Sequence, residues 1–200
     1  MKSLQRLRIL VWSASAVLIV LIAVALYWSK GGALSSTAVA AIGGPFTLVD
    51  QRGDTVTEAA LKGHPSAIFF GYTFCPDVCP TTLSDMTDWL QKLGPDGDRL
   101  KVYFVTVDPE RDTRDQIASY LQAFDARITG LTGSRAAVDQ MLKEYRVYSR
   151  KVPLDGGSYS MDHTASVYLL DRDAAFAGTV DYRDDSDKAI AKLKRLIAGA

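Results

Sequence analysis

The stretch Gly71-Tyr72-Thr73-Phe74-Cys75-Pro76-Asp77-Val78-Cys79-Pro80 constrains this chain more than any other. It holds the only two cysteines in 200 residues, with three residues between them. An apolar run, Ala67-Ile68-Phe69-Phe70, precedes it and reads as a buried strand ending at Gly71 or Tyr72. Pro80 suits the first helical position, where its missing N–H would be unpaired in any case. Leu83, Met86, Leu90 and Leu93 then recur at spacings of three and four, up to the stop at Gly94-Pro95. Two thiols therefore sit at a strand-to-helix junction, free to form a disulfide, react with a substrate or hold a metal.

Lys2, Arg6, Arg8 and Lys30 precede every acidic residue, leaving 19 basic against 23 acidic residues beyond Lys30. That balance excludes a nucleic-acid-binding domain, which clusters the opposite sign. Residues 9–28 contain no charge, and twenty helical residues rise about 30 Å, the thickness of a bilayer core. Trp12 lies near one end, and Tyr27 and Trp28 lie at the other, where amphipathic rings favour the headgroups. Three cations on the N-terminal side against Lys30 alone put the N-terminus in the cytoplasm. Ala38-Val39-Ala40 offers a cleavage site for the alternative, a removed signal peptide, but it lies well past a run longer than such leaders use. The expected organisation is a cytoplasmic segment (1–8), a transmembrane anchor (9–28), a flexible tether (29–44) and one domain (45–200). In a bacterium the chain is then single-pass in the cytoplasmic membrane, with its C-terminal domain on the periplasmic side. Paired thiols in that compartment oxidise unless something reduces or occupies them.

Within the domain, Phe46-Thr47-Leu48-Val49 and Thr55-Val56-Thr57 flank a glycine-containing turn and predict a hairpin. Val102-Tyr103-Phe104-Val105-Thr106-Val107 predicts a second central strand, stopped by Asp108-Pro109. Ile117, Tyr120, Leu121 and Phe124 mark one helix, and Val138, Met141, Leu142 and Tyr145 the next. Residues 151–160 read as a loop, residues 166–170 and 176–182 as a second hairpin, and residues 186–197 as a closing helix. This order gives an α/β sandwich with a mixed central sheet, for which thioredoxin-like is the natural candidate. Capping of the second helix by Asp112 or Thr113 is the expected role of the residues after Asp108, with a partner-facing role as the alternative.

A helix N-terminus stabilises thiolate over thiol, and Cys79 is the better placed of the two. Redox proteins of the thioredoxin kind use two intervening residues, so three tilt the pair toward chelation without forbidding a disulfide. His64 reads as an exposed loop histidine. His163, just before a core strand, is either a third ligand or a histidine that braces its loop. Two thiolates and an imidazole favour a soft ion, and Cu(I) tolerates so low a coordination. Asp77 and Asp162 are weaker candidates for oxygen ligands or for orienting His163; Met86 and Met161 are thioethers, with Met86 at core spacing.

The cysteine stretch, Val107-Asp108-Pro109-Glu110-Arg111-Asp112-Thr113 and Asp162-His163-Thr164 together resemble the SCO/SenC family of copper-binding proteins that help assemble cytochrome c oxidase. The resemblance runs from about Phe46 to the C-terminus. It implies a thioredoxin-like fold and copper, as Cu(I) or Cu(II), bound by Cys75, Cys79 and His163. It also implies delivery to the copper A centre of oxidase subunit II, with a periplasmic copper donor and a thiol reductant as further partners. The expected role is a carrier rather than an enzyme. A thiol-disulfide reductase using Cys75 and Cys79 is the alternative; a peroxidase lacks an Arg partner close in sequence.

Overall fold

A computed structural model of the chain describes Trp12, residues 15–22, Val24 and residues 42–199. The chain divides into two units, Met1–Ala40 and Ala41–Ala200. The expected anchor falls largely outside the described residues. Its described part is helical, with Val17, Leu18, Ile19, Val20, Leu21 and Ile22 all exposed. Among the described residues no helix is long and apolar enough to cross a membrane.

The second unit is built on a seven-stranded sheet in the order β2-β1-β5-β4-β3-β8-β9. Its strands are β1 (Thr47–Asp50), β2 (Thr55–Thr57), β3 (Ser66–Gly71), β4 (Lys101–Thr106), β5 (Ile128–Thr132), β8 (Val167–Leu170) and β9 (Phe176–Val180). β3, β4 and β5 run parallel, whereas β1 joins β5 and β8 joins β3 antiparallel. The mixed α/β arrangement is the one the order of elements predicts. Central placement explains why β3 is buried along its whole length: a strand covered on both faces reads as a continuous apolar run. β6 (Ser149–Pro153) and β7 (Tyr159–His163) form a separate two-stranded sheet.

Four helices complete the unit: α1 (Val78–Leu93), α2 (Arg114–Leu121), α3 (Arg135–Glu144) and α4 (Ser186–Ala198). α1 buries Cys79, Leu83, Met86, Leu90 and Leu93 on one stripe, so Met86 is a core residue. It packs against α4, which also covers β8 and β9; α2 lies on β5 and α3 on β1. Upstream of the expected domain start, Ile42 packs on the core and the Gly43 N–H donates to the Glu144 carbonyl at 2.9 Å.

Several local expectations are corrected. α1 starts at Val78 with Asp77 at its N-cap, so Pro80 is the third helical residue rather than the first. β5 lies between the second and third helices, where no strand is expected. Its Gly130 interrupts the apolar pattern because Ile117 and Leu121 occupy the space a side chain would need. The expected loop at 151–160 is largely the β6–β7 hairpin. That hairpin is mostly exposed and so lacks the alternation that marks a half-buried strand.

Gly71, the last residue of β3, sets the approach of strand to helix. A Cβ there would lie 2.9 Å from the Cys79 Sγ and 2.9 Å from the Phe104 ring. Gly71→Ala is therefore expected to destabilise the domain by about 1–3 kcal/mol through overpacking. A lowered denaturant midpoint at unchanged slope would show it; an unchanged midpoint would contradict this packing.

Candidate metal centre

β3 delivers the chain through Gly71 into a short loop, Tyr72 to Asp77, before α1 begins. The loop is clamped from below. The Thr73 hydroxyl donates to the Asp112 carboxylate at 2.7 Å and its N–H at 3.1 Å, while the Thr106 hydroxyl at the end of β4 donates at 2.6 Å. Asp112 is thus not a helix cap. Thr113 caps α2, its hydroxyl accepting from the Gln116 N–H at 3.2 Å.

Held this way, Cys75 is half-buried and Cys79 fully buried, and both are free thiols. His163 arrives from the end of β7, across 84 positions, and its Nε2 lies 3.4 Å from the Cys79 Sγ. The three donor atoms lie within 4.8 Å of one another and form a potential metal-ligand group among the described residues. The His163 Nδ1 lies 2.9 Å from the Thr164 carbonyl. A carbonyl only accepts, so this contact holds a proton on Nδ1 and leaves Nε2 facing the sulfurs. The Tyr72 and Phe69 rings meet the imidazole edge-on at 5.8 and 6.2 Å and fix its plane.

The two sulfurs differ in protonation. Cys75 is lowered to about 4, chiefly by a hydrogen bond from Cys79, which outweighs its own burial; His163 and the backbone N–H groups of Asp77 and Cys79 add to the effect. Cys79 is shifted upward, first by holding the proton that it shares with Cys75 and then by burial. The sequence expectation that Cys79 is the better thiolate is therefore reversed. Cys79 lies inside the first turn of α1, whereas the Cys75 Sγ sits ahead of it and accepts the Cys79 N–H at 3.4 Å.

The donor set fits a soft monovalent ion. With metal–sulfur and metal–nitrogen lengths of about 2.3 and 2.1 Å as a guide, three donors around one ion stand about 3.8–4.0 Å apart. The observed separations reach that by shifts of under about 1 Å. Neither aspartate joins the group. Asp162 points outward and pairs with Arg150 at 2.9 Å, and Asp77 is exposed at the helix start. Met161 is the buried residue of β7. His64 is half-buried rather than exposed, and its Nδ1 is a buried atom without a hydrogen-bond partner.

Sequence reasoning missed Arg111 and Tyr159. The Arg111 guanidinium lies over the rings of Tyr159, Phe74 and Tyr72, at 3.7, 4.8 and 5.6 Å. It also donates to buried Asp108 at 2.5 Å. Aromatic residues beside both the cysteine and the histidine motifs are the signal that could have found it.

An α/β domain with two thiols at a strand-to-helix junction, faced by an imidazole from a separate hairpin, defines a thioredoxin-like protein equipped to hold a soft metal ion. The SCO1/SenC family model matches residues 35–198, and the chain belongs to that family. It is 48% identical to the solved structure of Bradyrhizobium japonicum ScoI with copper bound, with a TM-score of 0.74, covering 78% of this chain and 99% of that one. It is 45% identical over 130 residues to Protein SCO1 homolog 2, mitochondrial, of Arabidopsis thaliana, covering 64% of this chain and 47% of that protein. An SCO2-like protein of Rickettsia prowazekii is 35% identical over 154 residues, covering 76% of this chain and 75% of the relative. The chain thus spans about half the length of the plant relative.

The thiol asymmetry is open to direct measurement. Alkylation of the metal-free protein with iodoacetamide is expected to label Cys75 at nearly equal rates at pH 7 and pH 5. Its thiolate is lost only as the pH falls through about 4, whereas an ordinary thiol slows about a hundredfold over those two units. Cys79 is expected to stay unlabelled while folded, as read by peptide mass spectrometry. Equal labelling of both cysteines would contradict the assignment.

Proposed function

We propose that this chain is a membrane-anchored copper metallochaperone, with Cys75, Cys79 and His163 holding one Cu(I) as cargo for the copper A centre of cytochrome c oxidase subunit II. The observation that carries this reading is the convergence of two sulfurs and an oriented imidazole. Soft thiolates select Cu(I) over harder ions. Binding would release the proton held by Cys79, since only the thiolate ligates. A bound ion would also protect both sulfurs from oxidation outside the cytosol.

The same reading places the chain in a bacterial cytoplasmic membrane, with its domain on the periplasmic side. The uncharged run 9–28 and the six consecutive exposed apolar residues Val17 to Ile22 support an anchor, because a helix apolar on every face needs an apolar surround. A periplasmic copper donor and a thiol reductant are the further partners this role requires.

The unequal thiols favour a second reading, a thiol-disulfide reductase. The Cys75 thiolate would attack a partner's disulfide and release one partner thiolate. Cys79, on losing its proton, would displace the second, so that the partner gains two electrons and Cys75–Cys79 becomes the disulfide. A periplasmic reductant would then restore the pair.

The two readings separate at His163. In the full-length chain, reduced and titrated anaerobically, one Cu(I) per chain is expected. His163→Ala is expected to weaken binding by about a hundredfold or more, since loss of even an outer partner of a ligand costs 10- to 100-fold. Full affinity without His163 would remove it from the site. Oxidase assembly that fails with Cys75→Ser and Cys79→Ser but survives His163→Ala would favour the reductase.

A further inference from the structure

His163 is the donor furthest in sequence from the others, and the strand that carries it belongs to neither face of the main sheet. In the β6–β7 hairpin only Met161 is buried. Beyond the Phe69 and Tyr72 rings at the imidazole itself, burial therefore holds the hairpin only at Met161. Alternation along β7 puts Tyr159, Met161 and His163 on the same face, and Tyr159 is held at its hydroxyl, its carbonyl and its ring.

Its hydroxyl donates to the Asp108 Oδ1 at 3.0 Å, and its carbonyl accepts from the Arg111 Nη1 at 3.0 Å. Its ring contacts two cations, the Arg111 guanidinium at 3.7 Å and the Lys151 ammonium at 4.0 Å. Lys151 in turn pairs with Glu110 at 2.7 Å. Arg111 is held by the Asp108 carboxylate, which is fully buried, and carries the Tyr72 and Phe74 rings against the same guanidinium. Phe74 adjoins Cys75. One planar cation is thus in contact with the cysteine loop and with the histidine hairpin.

We propose that Arg111 and Tyr159 are positioning residues that lock the His163 hairpin onto the cysteine loop, so that the three donors meet before the ion arrives. The proposal rests on the metal-binding reading above. Without the lock, the hairpin would have to be ordered at the moment of binding, and the lost preorganisation would appear as lost affinity. Lysine would not replace Arg111, because an ammonium has no planar fork to serve the Asp108 carboxylate, the Tyr159 carbonyl and the ring together.

The test is a double-mutant cycle in the full-length chain, with Cu(I) affinity read by competition against a chromophoric Cu(I) chelator. Tyr159→Ala is expected to weaken binding about tenfold, equivalent to about 1.4 kcal/mol, and Tyr159→Phe by less, since it keeps the stacked ring. In a His163→Ala background Tyr159→Ala is expected to change affinity by less than about twofold, because the lock then has nothing to position. In the metal-free protein, hydrogen exchange of residues 149–163 is expected to accelerate in Tyr159→Ala while α1 and β3 keep their protection. Equal losses in both backgrounds would overturn the proposal, as would unchanged affinity in Tyr159→Ala beside a weakened His163→Ala. If His163→Ala leaves affinity intact, the metal-site assignment fails by itself. Hydrogen exchange then decides the lock: faster exchange confined to the hairpin supports it, and unchanged exchange overturns it.

Discussion

Asp112 is where the C-terminal ends of three parallel strands are tied together, two by its carboxylate and one by its backbone carbonyl. It accepts from Thr106 at the end of β4 and from Thr73 just beyond β3, and its carbonyl accepts from the Thr132 hydroxyl at the end of β5, at 2.8 Å. The side chain is fully buried. An unpaired carboxylate there would cost several kcal/mol, and charge-assisted hydrogen bonds offset about 1.5–3 kcal/mol each. Burial still wins, and the pKa of Asp112 is held above the ordinary carboxylate value despite those donors. The sheet edge thus carries a buried acid whose compensation requires the cysteine loop to sit where it does. Thr73 out of place would leave Asp112 short of two donors.

That constraint reaches the sulfurs. Asp112 contributes to keeping the Cys79 proton in place, behind the larger effects of Cys75 and burial. It also contributes, with both cysteines, to the upward shift of the buried Tyr120 hydroxyl, where burial is the main cause. Negative charge has therefore accumulated around one buried thiol to the point where a second thiolate is unfavourable without a cation. The two sulfurs therefore differ in charge, with the pKa of Cys75 lowered and that of Cys79 raised.

How much of this was legible depended on burial. β3 and β4 announced themselves because central strands are apolar along their length, and α1 because its buried stripe repeats at three and four. β5 did not, since Gly130 makes room for Ile117 and Leu121 and breaks the run. The β6–β7 hairpin was hidden because its strands face solvent and are joined by backbone ladders and an Arg150–Asp162 pair rather than by apolar alternation. Cys75, Cys79 and His163 were named from residue chemistry and family resemblance, whereas Arg111, Tyr159 and the role of Asp112 depend on contacts between segments some 40 to 50 positions apart.

The reversal of the two thiols shows which physical effect the sequence reading underweighted. A helix terminus stabilises a charge by about 0.3–1 kcal/mol when exposed and up to about 2 when partly buried, whereas burying a charge costs several times that. Cys79 is inside the helix and inside the core, so it keeps the proton it shares with Cys75, and burial adds to that effect. Cys75 is ahead of the helix and only half-buried, and its sulfur accepts the Cys79 N–H in the first turn of α1. The three-residue spacing produces this division, because it sets the first cysteine one turn ahead of the helix, where unpaired N–H groups point, and the second in the turn itself. One sulfur can then be ionised in the free protein while the other stays protonated, with the His163 imidazole facing the protonated one.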